Sequence, residues 1–323
     1  LAKHRFGPKY TPSDIQGWRD VLGRHDSVAE ALAEIGVPMR TFHSVFERLG
    51  EHAGQWLRTP QKKPGPARGK PKADRTTRIL ICPDVHIPYQ DPVAWECFLR
   101  VAEQWKPDIL VLLGDVVDFY QVSVHPKDPT RKITFQEEIA ATNQELGRVG
   151  ALKVPEVVYC EGNHETRLQR MLTAQAPQLV GMVDVRDLLQ VDRRGWTWVP
   201  YGTHHRIGKL HFTHDIGHCG VYAARQSSMA FGHNIIFGHT HRAGAHYEST
   251  VNGDRHVAWM MGWLGDPSAI DYQHRAKVMR NSQHGFGIAH LDQHGNGWVH
   301  FVPIIEGTCV VDGVVYRAPK VAA

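Results

Sequence analysis

Five short apolar runs in residues 79–323 each end in side chains that can bind a metal or move a proton. Ile79-Leu80-Ile81 leads into Pro83-Asp84-Val85-His86, and Ile109 to Leu113 leads into Gly114-Asp115-Val116-Val117-Asp118. Val157-Val158-Tyr159 precedes Gly162-Asn163-His164-Glu165, His211-Phe212-Thr213 precedes His214-Asp215, and Ile235-Ile236-Phe237 precedes Gly238-His239-Thr240-His241. Helical patterns separate the runs: Pro92 to Trp105 with Asp91 as cap, a stretch near 134–147, and another from about Arg167. Fully apolar runs alternating with helices predict an α/β layered core of β-sheets flanked by helices. In an open α/β sheet the C-terminal strand ends face one crevice, where ligands bind. Asp84 and His86, two positions apart, face the same way if the chain there is extended.

The front of the chain has a different character. Residues 1–78 hold 15 Lys and Arg against 8 Asp and Glu, while the remainder holds 22 against 25, so the net charge of +4 conceals a basic N-terminal part. The stretch PQKKPGPARGKPKADRTT, residues 60–77, contains four prolines, two glycines and almost nothing apolar. It cannot bury enough surface to offset its ordering entropy, so residues 58–78 are expected to form a basic extended linker. Before it, residues 1–57 are expected to form a small all-α module, and after it residues 79–323 form the α/β domain. Ser13-Asp14 can cap a first helix reaching about Arg24, and a second helix begins at Ser27 and stops at Gly36. A third carries Met39, Phe42, Val45, Phe46 and Leu49 on one face. The stretch SVAEALAEIGVPMRTFHSVFERLG resembles helix-turn-helix modules, with Gly36 in the turn. With the basic linker beside it, this predicts a nucleic-acid partner. A small three-helix bundle that binds protein or nothing is the alternative.

Composition excludes several classes. Hydrophobic residues make up 42% and charged residues 22%, and no apolar run approaches the length of a membrane span. The start LAKHRFGPKY lacks the apolar stretch of a secretory signal, so a cytoplasmic protein without a membrane partner is expected. Five widely spaced cysteines without a CxxC pair suggest buried thiols rather than disulfides or a zinc knuckle.

Taken together, D-x-H, G-D-x-x-D, G-N-H-E, a lone His and G-H-x-H in this order resemble the calcineurin-like metallophosphoesterase superfamily, over roughly residues 79 to 305. The part after the last motif, through Gly262-Trp263-Leu264, is similar to bacterial and phage members. The resemblance implies a layered metallophosphoesterase core and two divalent metal ions. Asp84, His86 and His241 would hold one ion, Asn163, His214 and His239 the other, and Asp115 would bridge them. His239 and His241, on one side of extended chain, could then serve ions about 3.5 to 4 Å apart. Gly238 would keep a side chain from crowding the ions. The ions would generate a bridging hydroxide that attacks a phosphate ester. His164 would stabilise or protonate the leaving group, and Asp118 would orient it.

Manganese is expected first, with Fe, Zn, Ni and Co also suited to such donors. A structural hydrogen bond is the expected job of Glu165, and Arg167 reads as an exposed helix arginine that could instead contact phosphate. His204, His205 and His218 read as surface residues, and Asp215 has no evident role. Phe119-Tyr120 stands where protein Ser/Thr phosphatases of the superfamily carry arginine and glycine, which argues against that substrate class. The expected activity is a phosphodiesterase or nuclease acting on nucleic acid or nucleotides. Two alternatives stand beside it: a phosphomonoesterase of nucleotides or small phosphate esters, and a nucleic-acid-binding protein with a vestigial metal site.

Overall fold

The computed structural model describes residues 10–25, 28–49, 76–127, 130–269 and 281–319. The chain divides into two units, residues 1–73 and 74–323. In the first, α1 (Pro12–Leu22) is capped by Thr11, not by Ser13 or Asp14. Pro12 explains the shift, since its fixed φ and missing N–H suit the first helical position. Asp14 then falls at the third, where its carboxylate accepts from the Thr11 N–H at 2.7 Å and its own N–H donates to the Thr11 hydroxyl at 3.2 Å. α2 (Val28–Ile35) ends at Gly36, whose φ of 73° few other residues tolerate. α3 (Met39–Arg48) sends Phe42 and Phe46 into a core with Trp18, Leu22, Ala31 and Leu32. Leu49, expected on that face, lies one residue past the helix and is 45% exposed. Most of the expected linker lies outside the described residues, and its last two, Thr77 and Arg78, open a strand.

In the second unit β1 (Thr77–Cys82) is followed by α4 (Pro92–Trp105), β2 (Ile109–Leu112), α5 (Phe135–Ala151), β3 (Glu156–Cys160), α6 (Thr166–Gln175), α7 (Val185–Leu188) and β4 (Thr197–Val199). Asp91 caps α4 by accepting from the N–H groups of Val93 and Ala94. Strands β1 to β4 run parallel. The chain continues through β5 (His205–Ile207), β6 (Leu210–Thr213), α8 (Ala223–Phe231), β7 (Ile235–Phe237), β8 (Ala243–Ser249) and β9 (Arg255–Met261). β10 (Gly285–Leu291) and β11 (Gly297–Pro303) return to the first sheet, giving the order β11-β10-β1-β2-β3-β4, and β12 (Thr308–Val311) pairs with β13 (Val314–Arg317). The second sheet has the order β5-β6-β7-β9-β8.

Strand alternation builds four layers from this connectivity. Leu80, Cys82, Leu110, Leu112, Val157 and Tyr159 pack with residues of α4 to α7. The residues between them, Ile79, Ile81, Ile109, Val111, Val158 and Cys160, meet Leu210, Phe212, Ile236, Trp259 and Met261 of the second sheet. That sheet covers its other face, Ile235, Phe237, Ala258 and Met260, with Ala223 and Ala224 of α8. The five apolar runs therefore belong to two stacked sheets rather than one open sheet, and their C-terminal ends meet along the shared rim. Both faces of the central strands are buried, which is why their sequence is continuously apolar. Four of the five cysteines are buried free thiols, and Cys219 is exposed. Among the described residues, no helix is long and apolar enough to cross a membrane.

Candidate metal centre

The loops after β1 and β2 are joined by their backbones: Val85 and His86 donate to Asp115 O at 2.9 Å, and Ile87 donates to Val116 O at 2.8 Å. His86, Asp115, His239 and His241 have φ of 57°, 48°, 63° and 55°. An L residue in this left-handed region costs roughly 1–2 kcal/mol, so four such residues at one rim mark a backbone held against its preference by its surroundings. The expectation that Asp84 and His86, or His239 and His241, share a side of extended chain is therefore corrected. Tight left-handed turns, not strand pleating, aim these side chains. Glycines allow the close approach. A Cβ on Gly238 would collide with the Asp84 carboxylate, and one on Gly162 would collide with Asp115.

Three donor groups result among the described residues, and the third, His86, Asp118 and His164, shares His86 with the first. In the first, Asp84, His86 and His241 bring their donor atoms within 4.8 Å of one another. The Nε2 atoms of His86 and His241 are 3.0 Å apart, and His241 Nε2 is 3.6 Å from Asp84 Oδ1. In the second, Asp115, His214 and His239 converge equally closely. Asn163 Oδ1 joins them at 2.9 Å from His214 Nε2 and 2.7 Å from His239 Nδ1. The groups adjoin, because the His239 N–H donates to Asp84 Oδ1 at 2.8 Å.

Outer partners orient the rings as a metal site requires. His214 Nδ1 lies 2.8 Å from Leu113 O and must donate to it, which turns Nε2 toward Asn163 Oδ1 and Asp115. Asp118 Oδ1 is 3.2 Å from His86 Nδ1 and 3.1 Å from His164 Nδ1, so one carboxylate orients both rings.

The field of the site favours added positive charge. Burial pushes Asp84 up to about 7, with His214 and His86 opposing and Asp115 adding to the rise. Burial also opposes ionisation of Asp115, yet His164 and His214 hold it well below the usual carboxylate range. Burial would lower His214, but the Asp115 charge overrides it and raises the ring to about 10. A field able to keep a proton on a buried imidazole also attracts a divalent ion, with which that proton competes. Burial lowers His239, with His214 adding, and holds His241 well down, with His86 adding, so both offer lone pairs at neutral pH. Imidazole nitrogen, carboxylate and amide oxygen together suit borderline divalent transition metals, so the residues fit such ions.

The sequence profile of calcineurin-like phosphoesterases matches residues 77–243, the span that contains every one of these donors. The chain belongs to the calcineurin-like phosphoesterase family. It is a metal-dependent phosphoesterase, and the family implies divalent metal ions, which these His and Asp groups could hold. Among curated proteins it is similar to the Gene 54 protein of Mycobacterium phage D29, 28% identical over 74% of this chain and 98% of that protein. The Gene 54 protein of Mycobacterium phage L5 is 29% identical over the same shares. Among solved structures, Yfce, a phosphoesterase from E. coli, overlaps 75% of this chain and 100% of its own at 16% identity with a TM-score of 0.36.

Other residues of this phosphoesterase fall as follows. Glu165, fully buried, accepts from the N–H groups of Asp115, Val116, Val117 and Gly162 and from the Tyr159 hydroxyl, so it ties two motif loops together. Asp215 accepts from the Tyr201 hydroxyl at 2.6 Å and from the Gly217 N–H at 2.8 Å. His204 packs on His211 and Phe231, and among the described residues His204, His205 and His218 join no metal-donor group. Arg167 departs from its expected exposure: its side chain is 13% exposed and reaches His164. Trp263 is fully buried and stacks on His241 with ring centroids 4.6 Å apart, fixing a ring that the sequence offers as a ligand. Its place after β9 gave only the signal of a covering loop.

Proposed function

We propose that the chain holds two divalent ions, one at Asp84, His86 and His241 and one at Asn163, His214 and His239, with Asp115 shared, and that it cleaves phosphodiesters of nucleic acid or nucleotides. The observation that carries the two-ion reading is the contact of two complete donor groups through the His239 N–H and the Asp84 carboxylate. When bound, such a pair lowers the pKa of a water and neutralises phosphoryl oxygens. The protein's own part is orientation. Asp118 holds Nδ1 of His164 through its carbonyl at 2.8 Å and its Oδ1 at 3.1 Å, which turns Nε2 toward Asp115, 3.7 Å away. Manganese is the ion to supply first.

The diester preference is supported by Phe119. It stands where the protein phosphatases carry arginine, yet it is fully buried and stacked on Phe135 at 5.5 Å. That position therefore offers no cation to the doubly charged group of a phosphomonoester. In an assay with Mn²⁺, bis-nitrophenyl phosphate is expected to turn over faster than nitrophenyl phosphate. Single-stranded and duplex DNA, RNA and nucleoside monophosphates extend the comparison. Rapid monoester turnover with no detectable diester or nucleic-acid cleavage would replace this reading with a phosphomonoesterase.

A nucleic-acid partner is supported by the charge of residues 1–78, 15 Lys and Arg against 8 Asp and Glu, and by the helix-turn-helix resemblance in α2 and α3. A chain starting at Ala73 is expected to keep aryl-ester hydrolysis while losing salt-sensitive DNA or RNA binding, because phosphate neutralisation makes affinity fall steeply with salt. Binding that survives the truncation with an unchanged salt slope would put the affinity in the second unit and remove the helix-turn-helix assignment.

A further inference from the structure

The phosphoesterase site contains one cation whose position the metal donors do not explain. Arg167, in the first turn of α6, points back toward the metal centre. Its Nη1 donates to Asp118 O at 2.7 Å and lies 3.8 Å from Asp118 Oδ2, while its Nη2 is 2.8 Å from His164 Nε2. A guanidinium has only donors, so His164 Nε2 must accept here and its ring proton sits on Nδ1, facing Asp118. That nitrogen also lies 3.7 Å from Asp115 Oδ2. A permanent bond from Arg167 would keep it from any leaving oxygen.

The geometry points to Arg167 as the phosphoryl-binding residue of this site, closed on His164 Nε2 without substrate and transferred to a phosphoryl oxygen when substrate enters. Nη1 stays anchored on the Asp118 carbonyl, so only the other arm of the fork exchanges partners. An anionic oxygen is a stronger acceptor for a guanidinium than a neutral imidazole nitrogen, which gives the exchange its direction. It also frees Nε2 only when an ester is present. The neighbouring Arg170 cannot substitute as placed, since its Nη2 donates outward to Asn163 O at 2.7 Å from an exposed position.

This inference rests on the phosphoesterase reading and is tested separately from it. Binding of inorganic phosphate to the manganese-loaded full chain is measured by calorimetry and by competitive inhibition, for the wild type, Arg167→Ala and Arg167→Lys, with metal content determined for each. Arg167→Ala is expected to weaken phosphate affinity about 10- to 100-fold, the range of a charge-assisted hydrogen bond, at unchanged metal content. Arg167→Lys should recover part of the loss, and free guanidinium should restore phosphate affinity to Arg167→Ala. If kcat falls in both variants while phosphate affinity stays at the wild-type value, Arg167 merely braces His164 and the inference is overturned. Should Arg167→Ala not fold, Arg167→Lys decides: weaker phosphate binding with full metal content supports the assignment, and equal binding overturns it. A wild type that binds no phosphate and hydrolyses no ester would overturn both this inference and the reading beneath it.

Discussion

Asp115→Asn is expected to abolish nearly all phosphoesterase turnover while leaving the fold intact. The carboxylate is 2% exposed, lies 3.3 Å from His214 Nε2 and accepts the His164 N–H at 2.8 Å. An asparagine keeps the volume and can keep that backbone bond, so the change removes charge rather than packing. Charge is what the site needs, because Asp115 supplies the field that raises His214 to about 10 against the effect of burial. Without it the His214 pKa should fall, an NMR titration of the metal-free protein should show that fall, and metal analysis should find fewer ions per chain. If Asp115 is shared by both ions, both are weakened together. More than about a tenth of wild-type turnover, with metal content unchanged, would refute the shared role; retained activity on this scale is a loss of only about 1.4 kcal/mol in the barrier.

What the sequence made legible follows from how local each signal was. The apolar runs, the cap at Asp91 and the polar residues at each strand end are short-range patterns, and the structure brings Asp84, His86, Asp115, Asn163, His214, His239 and His241 to one rim. Which strands belong to which sheet was not legible, because a strand buried on both faces reads the same under a helix or under a second sheet. Nor were the left-handed turns at His86, Asp115, His239 and His241, since Asp and His, though enriched in that region, adopt it only in a minority of positions. Trp263 meets His241 across 22 positions of chain, a contact no periodicity predicts. Arg167 was misjudged for a related reason. Arginines in a helix's first turn are usually solvated, and only the tertiary position of Asp118 O gives this one an inward partner.

Replacing His164 by alanine separates leaving-group chemistry from metal binding. The side chain is 10% exposed and its Nδ1 is held by Asp118, and although it lies with His86 and Asp118 in a third cluster of possible donors, it belongs to neither group proposed to hold an ion, so both ions should remain bound in His164→Ala. His86 keeps its own bond to Asp118 Oδ1 at 3.2 Å, which protects the first donor group from the change. If Nε2, taking up a proton once Arg167 has left it, delivers that proton to the departing oxygen, turnover should fall on the order of 10²- to 10⁴-fold for an alkyl ester, whose leaving group is a strong base. The loss should shrink for a nitrophenyl ester, because nitrophenolate departs with little protonation. The measurement is the ratio of wild-type to variant kcat for the two leaving groups at saturating Mn²⁺, with metal content determined alongside. Equal losses would remove the proton-donor role and leave His164 only to stabilise developing charge, since electrostatic stabilisation without proton transfer is far less sensitive to the basicity of the leaving oxygen. Loss of an ion from the variant would instead mean that the Asp118 and His164 pair supports the metal donors directly, and the division of labour between the rings would have to be redrawn.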